Sequence, residues 1–446
     1  MPTSTITAAP GSIPLLGHAL RLHDDPLGFF ESMREYGEIV RIRLGSQDAY
    51  VLNSPELIRE VLVAKAREFS KGTQIEGARD LFGYGLVSSE GATHRRQRLL
   101  MQPAFRRDRI AEYARTMRSE IVAQTGGWSD GDAFDIRVEM TTLALSVAAK
   151  TMMSSELGDG LVTAMKQSLP RLLELLYRRM INPLPRLNAL PLPRNREYAR
   201  ILATLHPMID AVIADYKRHE VEHDDLLGAL LRATDPETGA TLSDTEVHDQ
   251  ITAILVAGSE TTAATLSWAF HLLTEHPEVE ARLHAELDDV LDGRPAEYAD
   301  VRRLPYTAQI VSETLRHSPP AWLITRRATV DVEVGGYPIP AGGSILISPY
   351  AVQRDPALFE EPARFDPDRW SPERVAMIPR NAVLQFSNGP RKCIGDVFAV
   401  VEATLALATI AGQWQLRVQP GARFEKVAAS TYTPRNLSMA ARKRRG

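Results

Sequence analysis

A chain of 446 residues holds one cysteine, Cys393, in the run FSNGPRKCIG from Phe386 to Gly395. Gly389, Pro390 and Gly395 are turn-makers that let backbone N–H groups converge on one atom. From Asp396 onward, DVFAVVEATLALATIA has the apolar spacing of a buried helix. A helix N-terminus carries unpaired N–H groups and partial positive charge, and Arg391 and Lys392 add full charge, so the loop favours a thiolate over a thiol. Cys393 is then a metal ligand, or else one more small buried apolar residue, as most lone cysteines are. A cysteine hydrolase would need a general base beside the sulfur, where this loop offers Arg and Lys.

Three further clusters could do chemistry. Ser243 to His276 predicts the longest helix, opened by a capping box of Ser243 and Glu246 and closed before Pro277. Its middle reads AGSETT, Ala257 to Thr262, where a glycine, a carboxylate and hydroxyl side chains weaken the helix or need partners. Thr261 can bond back to the Ala257 carbonyl, or the motif marks a functional site, and both readings stay open. In GATHRRQRLLMQPAF, His94 and Arg98 share a helical face and can reach two neighbouring anionic groups, although a basic helix is commonly a solvated face. Glu313 and Arg316 in SETLRHSPP also share a face and can form a buried ion pair.

The spacing FxxGxRxCxG, from Phe386 to Gly395, resembles the haem-binding loop of the cytochrome P-450 monooxygenases. The other clusters follow in that family's order over nearly the whole chain: the His94 and Arg98 helix, AGSETT, ExxR, FDPDRW, then the cysteine loop. The resemblance implies haem b with Cys393 as axial ligand and Phe386, Arg391 and Gly395 around it. It implies His94, Arg98 and Arg326 as propionate-binding residues, with Arg327 the rival for the last. Ala257 and Gly258 would leave room above the iron, and Glu260 with Thr261 would form the acid–alcohol pair that handles protons. Glu313, Arg316 and Arg369 would be structural. Many bacterial members carry His where this loop has Arg391, and Asp is also common at the position of Glu260; Arg can bind a propionate and Glu can relay a proton.

The activity implied is insertion of one oxygen atom from O2 into a hydrophobic molecule, with electrons ultimately from NAD(P)H. A separate ferredoxin and ferredoxin reductase would deliver them, docking where Arg95, Arg96, Arg106 and Lys392 present charge. The pocket is expected to be lined by Ile75, Phe82, Leu86, Val87, Leu176, Val256, Ala257, Trp322, Leu323, Ile324 and Tyr432. The opening PGSIPLLGHALRLHDDPLGFF and the cysteine loop look like bacterial oxygenases of terpenoid natural-product pathways. A peroxygenase or an isomerase would not need the Glu260 and Thr261 relay, and a non-catalytic haem protein would leave AGSETT unexplained.

These groups need a scaffold. Hydrophobic residues at 44%, charged residues at 24% and a net charge of −4 suit a large-cored globular chain and argue against nucleic acid as a partner. One cysteine excludes a disulfide framework and fits a reducing cytoplasm. No signal peptide or membrane anchor is expected, since no 18 apolar residues run together. No linker composition divides the chain, so one domain spanning 1–446 is expected. EIVRIRL and DAYVLN predict a hairpin around Gly45, and SPELIREVLVAKAREF a clean amphipathic helix capped by Ser54. The glycine-rich 71–89 segment reads either as a mobile lip over a pocket or as a surface loop. The stretch from Asp108 to about His223 reads as helical, broken at GGWSDGDAF and by the prolines between Pro183 and Pro193. The expected fold is mainly α with a small β-rich subdomain. By the resemblance it is the cytochrome P-450 fold, the haem lying between the long helix and the helix after Cys393.

Overall fold

Ile39–Leu44 and Gln47–Leu52 pair antiparallel, Leu44 opposite Gln47. Gly45 turns the chain at φ +62°, which glycine adopts without strain. This expected hairpin nucleates the β part of a computed structural model that describes residues 5–153, 156–182, 185–218, 225–235 and 238–444. The chain forms two compact units, one of Met1–Glu76 with Glu313–Cys393, the other of Gly77–Ser312 with Ile394–Gly446.

The first unit holds a six-stranded mixed sheet. Across it run Thr7–Ala8, Ile39–Leu44, Gln47–Leu52, Ser344–Ile347, Ile324–Ala328 and Phe69–Ser70. Ile39, Leu52, Ile345 and Ile347 on its strands pack with Ile58, Val61 and Phe69. The helix expected from Ser54 begins as read, its Leu57 N–H donating to Ser54 Oγ at 3.4 Å. It does not stay regular. Pro55–Arg59 is α-helical, Glu60–Ala64 widens into a π turn and Ala66–Glu68 tightens to 3-10. Val61 and Val63 are β-branched and hold an α turn weakly, and π turns recur beside functional sites.

The second unit is helical. Its longest element, Asp244–Glu275, has the predicted capping box: Glu246 N–H donates to Ser243 Oγ at 3.2 Å and Ser243 N–H to Glu246 Oε2 at 2.9 Å. Ile136–Met152 and Asp396–Gln413 pack against it. A large apolar core joins Val256 and Leu255 of the long helix to Leu145 and Met152, and to Leu172, Leu176, Ile209 and Val212 of the helices Glu156–Met180 and Pro193–Arg218. Those two helices flank the proline-rich break, whose Pro183 lies outside the described residues, as does His223. Small sheets complete the unit: Trp414–Val418, Ser438–Lys443 and Ala133–Asp135, and the pair Glu425–Ala428 with Tyr432–Arg435. Among the described residues one helix, Asp396–Gln413, is long and apolar enough to cross a membrane, and 61% of it is buried inside the protein.

Candidate active site

The cysteine loop is fixed by backbone contacts within the first unit. Gly389 sits at φ +75°, and a Cβ there would lie 2.0 Å from the carbonyl oxygen of Leu62 in the π turn. Only glycine lets the two backbones meet. Arg391 donates from Nη1 to Ala66 O at 2.8 Å and from Nη2 to Phe69 O at 2.7 Å. Its guanidinium therefore ties the loop to the segment after the π turn, a task the sequence did not show beside the expected propionate contact. Cys393 N–H donates to Phe386 O at 3.0 Å, closing the loop, and Cys393 itself is exposed. On the strand Ile324–Ala328, Arg326 is buried while Arg327, on the opposite pleat, donates to Gly342 O at 3.3 Å.

Glu313 and Arg316 are both fully buried and form a bidentate pair, Nε to Oε2 and Nη2 to Oε1, each 2.8 Å. Arg369 Nε adds a bond to Glu313 Oε1 at 3.3 Å, and Trp370 Nε1 one to Oε2 at 3.0 Å. Arg316 spends its other donors on the carbonyls of Gln353, Pro362 and Arg364. Both oxygens of Glu313 and all the N–H groups of Arg316 thus find partners, which is the condition for burying such a pair. Trp370 was not singled out in the sequence, although it stands inside FDPDRW.

On the long helix, Leu255, Val256 and Ser259 are buried but Ala257 is exposed. Thr261 Oγ1 donates to Ala257 O at 2.8 Å, the back-bond weighed above. That commits the hydroxyl proton and leaves its two lone pairs as acceptors. Glu260 turns elsewhere: its Oε1 accepts from Ser430 Oγ at 3.0 Å and Thr431 Oγ1 at 3.1 Å. Burial raises its pKa, and the two hydroxyls and Arg137 pull it part of the way back. The acid and the alcohol are thus neighbours held by different partners rather than a bonded pair. One residue on, Thr262 Oγ1 donates to Glu402 Oε2 at 3.4 Å. Glu402 is 2% exposed, and burial pushes its carboxyl up to about 8. The sequence signal for it was a carboxylate in the middle of a largely apolar helix.

His94 is buried and Arg98 half-buried on the helix Gly91–Met101. Arg96 is engaged within its unit, Nη1 on Glu246 Oε1 at 2.6 Å and Nη2 on Thr241 O at 2.9 Å, whereas Arg95 is exposed. Of the expected pocket residues, Phe82, Leu176 and Val256 share one apolar core, with Leu86 and Val87 packed on it. Tyr432 does not join them: its ring lies tilted against Trp268, centroids 4.8 Å apart, and its carbonyl accepts from Trp268 Nε1 at 3.1 Å. In the first unit Trp322 packs edge-on to Phe30 at 6.2 Å, with Leu323 and Ile324 half-buried.

The cytochrome P450 family model matches residues 8–439. The chain belongs to the cytochrome P450 family. Relatives of this cytochrome P450 include cyclooctatin synthase of Streptomyces melanosporofaciens, 46% identical over 97% of this chain and 95% of the relative. Pentalenene oxygenase of Streptomyces avermitilis is 44% identical over 97% and 96%. Cyclooctat-9-en-7-ol 5-monooxygenase of Streptomyces melanosporofaciens is 43% identical over 94% and 91%. A crystal structure of the cytochrome P450DA heme domain superposes with a TM-score of 0.89 at 28% identity, covering 99% of this chain and 98% of that one. The protein is therefore a cytochrome P450 monooxygenase that uses haem b, O2 and electrons derived from NAD(P)H, supplied by redox partners, on a small molecule. The residues present suit the haem. Cys393 is an exposed sulfur, Ala257 an exposed point on a buried helix, and the apolar residues Val397 to Val400 are only half-buried where the helix from Val401 onward is buried.

Proposed function

We propose that this cytochrome P450 oxygenates a hydrophobic, terpenoid-like molecule in bacterial natural-product metabolism, working in the cytoplasm as a single haem domain. The relatives named for pentalenene and for cyclooctat-9-en-7-ol support the substrate class, since they match over nearly the whole chain at more than 40% identity. Cys393 would hold the iron, and His94, Arg98 and Arg326 would take the propionates. When bound, the haem supplies one-electron chemistry and O2 activation, with a thiolate donor that favours O–O cleavage.

The protein's own part is to place protons. Thr261, its hydroxyl proton on Ala257 O, offers lone pairs toward the exposed face of the helix and can accept a hydrogen bond from a water or a protonated oxygen there. Glu260, its pKa raised by burial and drawn part of the way back by the hydroxyls of Ser430 and Thr431, holds its proton more readily than an ordinary carboxyl and can pass it on. A peroxygenase or isomerase would have no use for such an acid and acceptor side by side. We also take the electron donors to be a separate ferredoxin and its reductase. The test is the reduced, CO-bound spectrum followed by a screen of cyclic alkenes and alkenols scored by haem spin-state change and NAD(P)H-dependent product. A Soret band without the thiolate red shift defeats the Cys393 assignment; a strong response only to polar compounds defeats the substrate class.

A further inference from the structure

The segment 83–87 is fastened to the long helix by two consecutive side chains, Asp249 and Gln250. Tyr84 N–H donates to Asp249 Oδ2 at 2.7 Å, and Leu86 N–H to Gln250 Oε1 at 2.8 Å. From the other side Gln97 Nε2 donates to Tyr84 O at 2.8 Å, and Ser89 Oγ to Gln97 Oε1 at 2.8 Å. Asp249 is 7% exposed and both glutamines are fully buried. The loop sequence is cut to this contact. A Cβ on Gly83, which sits at φ +51°, would lie 2.0 Å from Asp249 Oδ1, and one on Gly85 would lie 2.6 Å from Asp249 O. Gly83 lets the backbone ride over the Asp249 carboxylate, and Gly85 lets it ride over the main-chain carbonyl of the same residue.

Phe82, immediately before the loop, belongs to the apolar core that includes Val256 of the long helix, and Leu86 and Val87 of the loop pack on it. Gln250 precedes Ala257 by two helical turns, so the clamp and the exposed point of the helix lie along one face. Buried hydrogen bonds to a carboxylate are among the stronger ones available to a loop. Resting on the function proposed above, we infer that Asp249 and Gln250 are positioning residues that set the wall formed by Phe82, Leu86 and Val87, and hence which ligands the pocket accepts. The segment is neither a mobile lip nor an ordinary surface loop, but a wall locked to the helix that carries Thr261.

The test uses the holoprotein and two azole probes, imidazole and the bulky clotrimazole, whose binding is read from the Soret shift without turnover. Asp249→Ala should leave the thiolate CO spectrum and imidazole affinity unchanged within about twofold, change clotrimazole affinity about tenfold, and speed hydrogen exchange at Tyr84 and Leu86 by about tenfold or more. Asp249→Asn keeps an acceptor for Tyr84 and should restore most of both effects; Gln250→Met should reproduce the loosening at Leu86. Unchanged azole selectivity in Asp249→Ala with an intact CO spectrum overturns the inference alone. Equal weakening of both azoles overturns it too, because the clamp would then support the fold and not the wall. A wild-type spectrum lacking the thiolate band would instead defeat the underlying assignment of Cys393.

Discussion

The Thr261 hydroxyl resolves into two separate capacities once its proton is located. The bond to Ala257 O exists, and it leaves the hydroxyl lone pairs to accept from another donor. Thr261→Ala removes the acceptor but leaves the cysteine ligand and the apolar core intact. The expected outcome is an unchanged CO spectrum with product per NAD(P)H falling several-fold and hydrogen peroxide rising in proportion, while Thr261→Ser stays close to wild type. Coupling that is unaltered in the alanine variant would reduce the hydroxyl to a helix back-bond. Glu260 has a companion test through its anchors. Ser430 and Thr431 donate to the carboxylate and so favour its ionised form, holding its pKa below where burial alone would put it. Ser430→Ala with Thr431→Val should move the acid limb of the turnover profile to higher pH; a limb that stays in place means that Glu260 does not carry the proton. The sequence showed Glu260 and Thr261 as a pair because they are adjacent. It could not show that 430–431 holds the acid, because 170 residues separate them.

At the scale of elements, the long helix and the helix Asp396–Gln413 meet at one buried polar contact, Thr262 with Glu402. Folded, Glu402 ionises only near 8; unfolded, near the ordinary 4.5. Unfolding therefore releases a proton between those values, so this group's contribution to stability is present below pH 4.5, is lost as pH rises toward 8, and changes no further above it. Glu402→Gln should flatten that slope, gaining most on the wild type at pH 8 and above in thermal unfolding midpoints. Parallel pH curves for the two proteins would show that Glu402 ionises normally. The pair Glu313 and Arg316 works in the opposite sense. Glu313→Gln leaves Arg316 and Arg369 with too little negative charge in a fully buried place, a loss of about 3–5 kcal/mol. Folding yield and the fraction of protein with the thiolate CO band should both fall, and Arg369→Lys, which touches Glu313 by one long bond, should fall less.

For the molecule as a whole, what could be read in advance was whatever is encoded within about a dozen consecutive residues. The capping box at Ser243, the ExxR pair, the cysteine loop and the start of the helix behind it are all of that kind, and the structure has each of them. The π turn at Glu60–Ala64, the Arg391 tie to Ala66 and Phe69, the Asp249 clamp and the Glu402 contact are not, because each depends on a partner brought up by folding. Charge is a property of the same scale. With a net −4, an acidic ferredoxin of the kind proposed above would be attracted by local basic groups and not by the protein's overall charge. Arg96, already bonded to Glu246 and Thr241, is spoken for, so Arg95→Glu should slow electron transfer from ferredoxin at low salt and Arg96→Glu should chiefly lower stability. Equal transfer rates for Arg95→Glu and wild type at low ionic strength would remove Arg95 from the docking surface.

The six-stranded sheet has a temporal consequence. Gln47–Leu52 lies parallel to Ser344–Ile347, with Leu52 opposite Ile347. On a ribosome the early hairpin emerges with that edge bare, and 347 − 52 = 295 further residues must be polymerised before its neighbour exists. At ~5–20 residues per second the wait is roughly 15–60 s. For that interval Ala49 to Leu52, apolar and unpaired, invite the wrong partner, so the yield of this enzyme in a cell should follow translation speed and chaperone supply more closely than the stability of the finished protein.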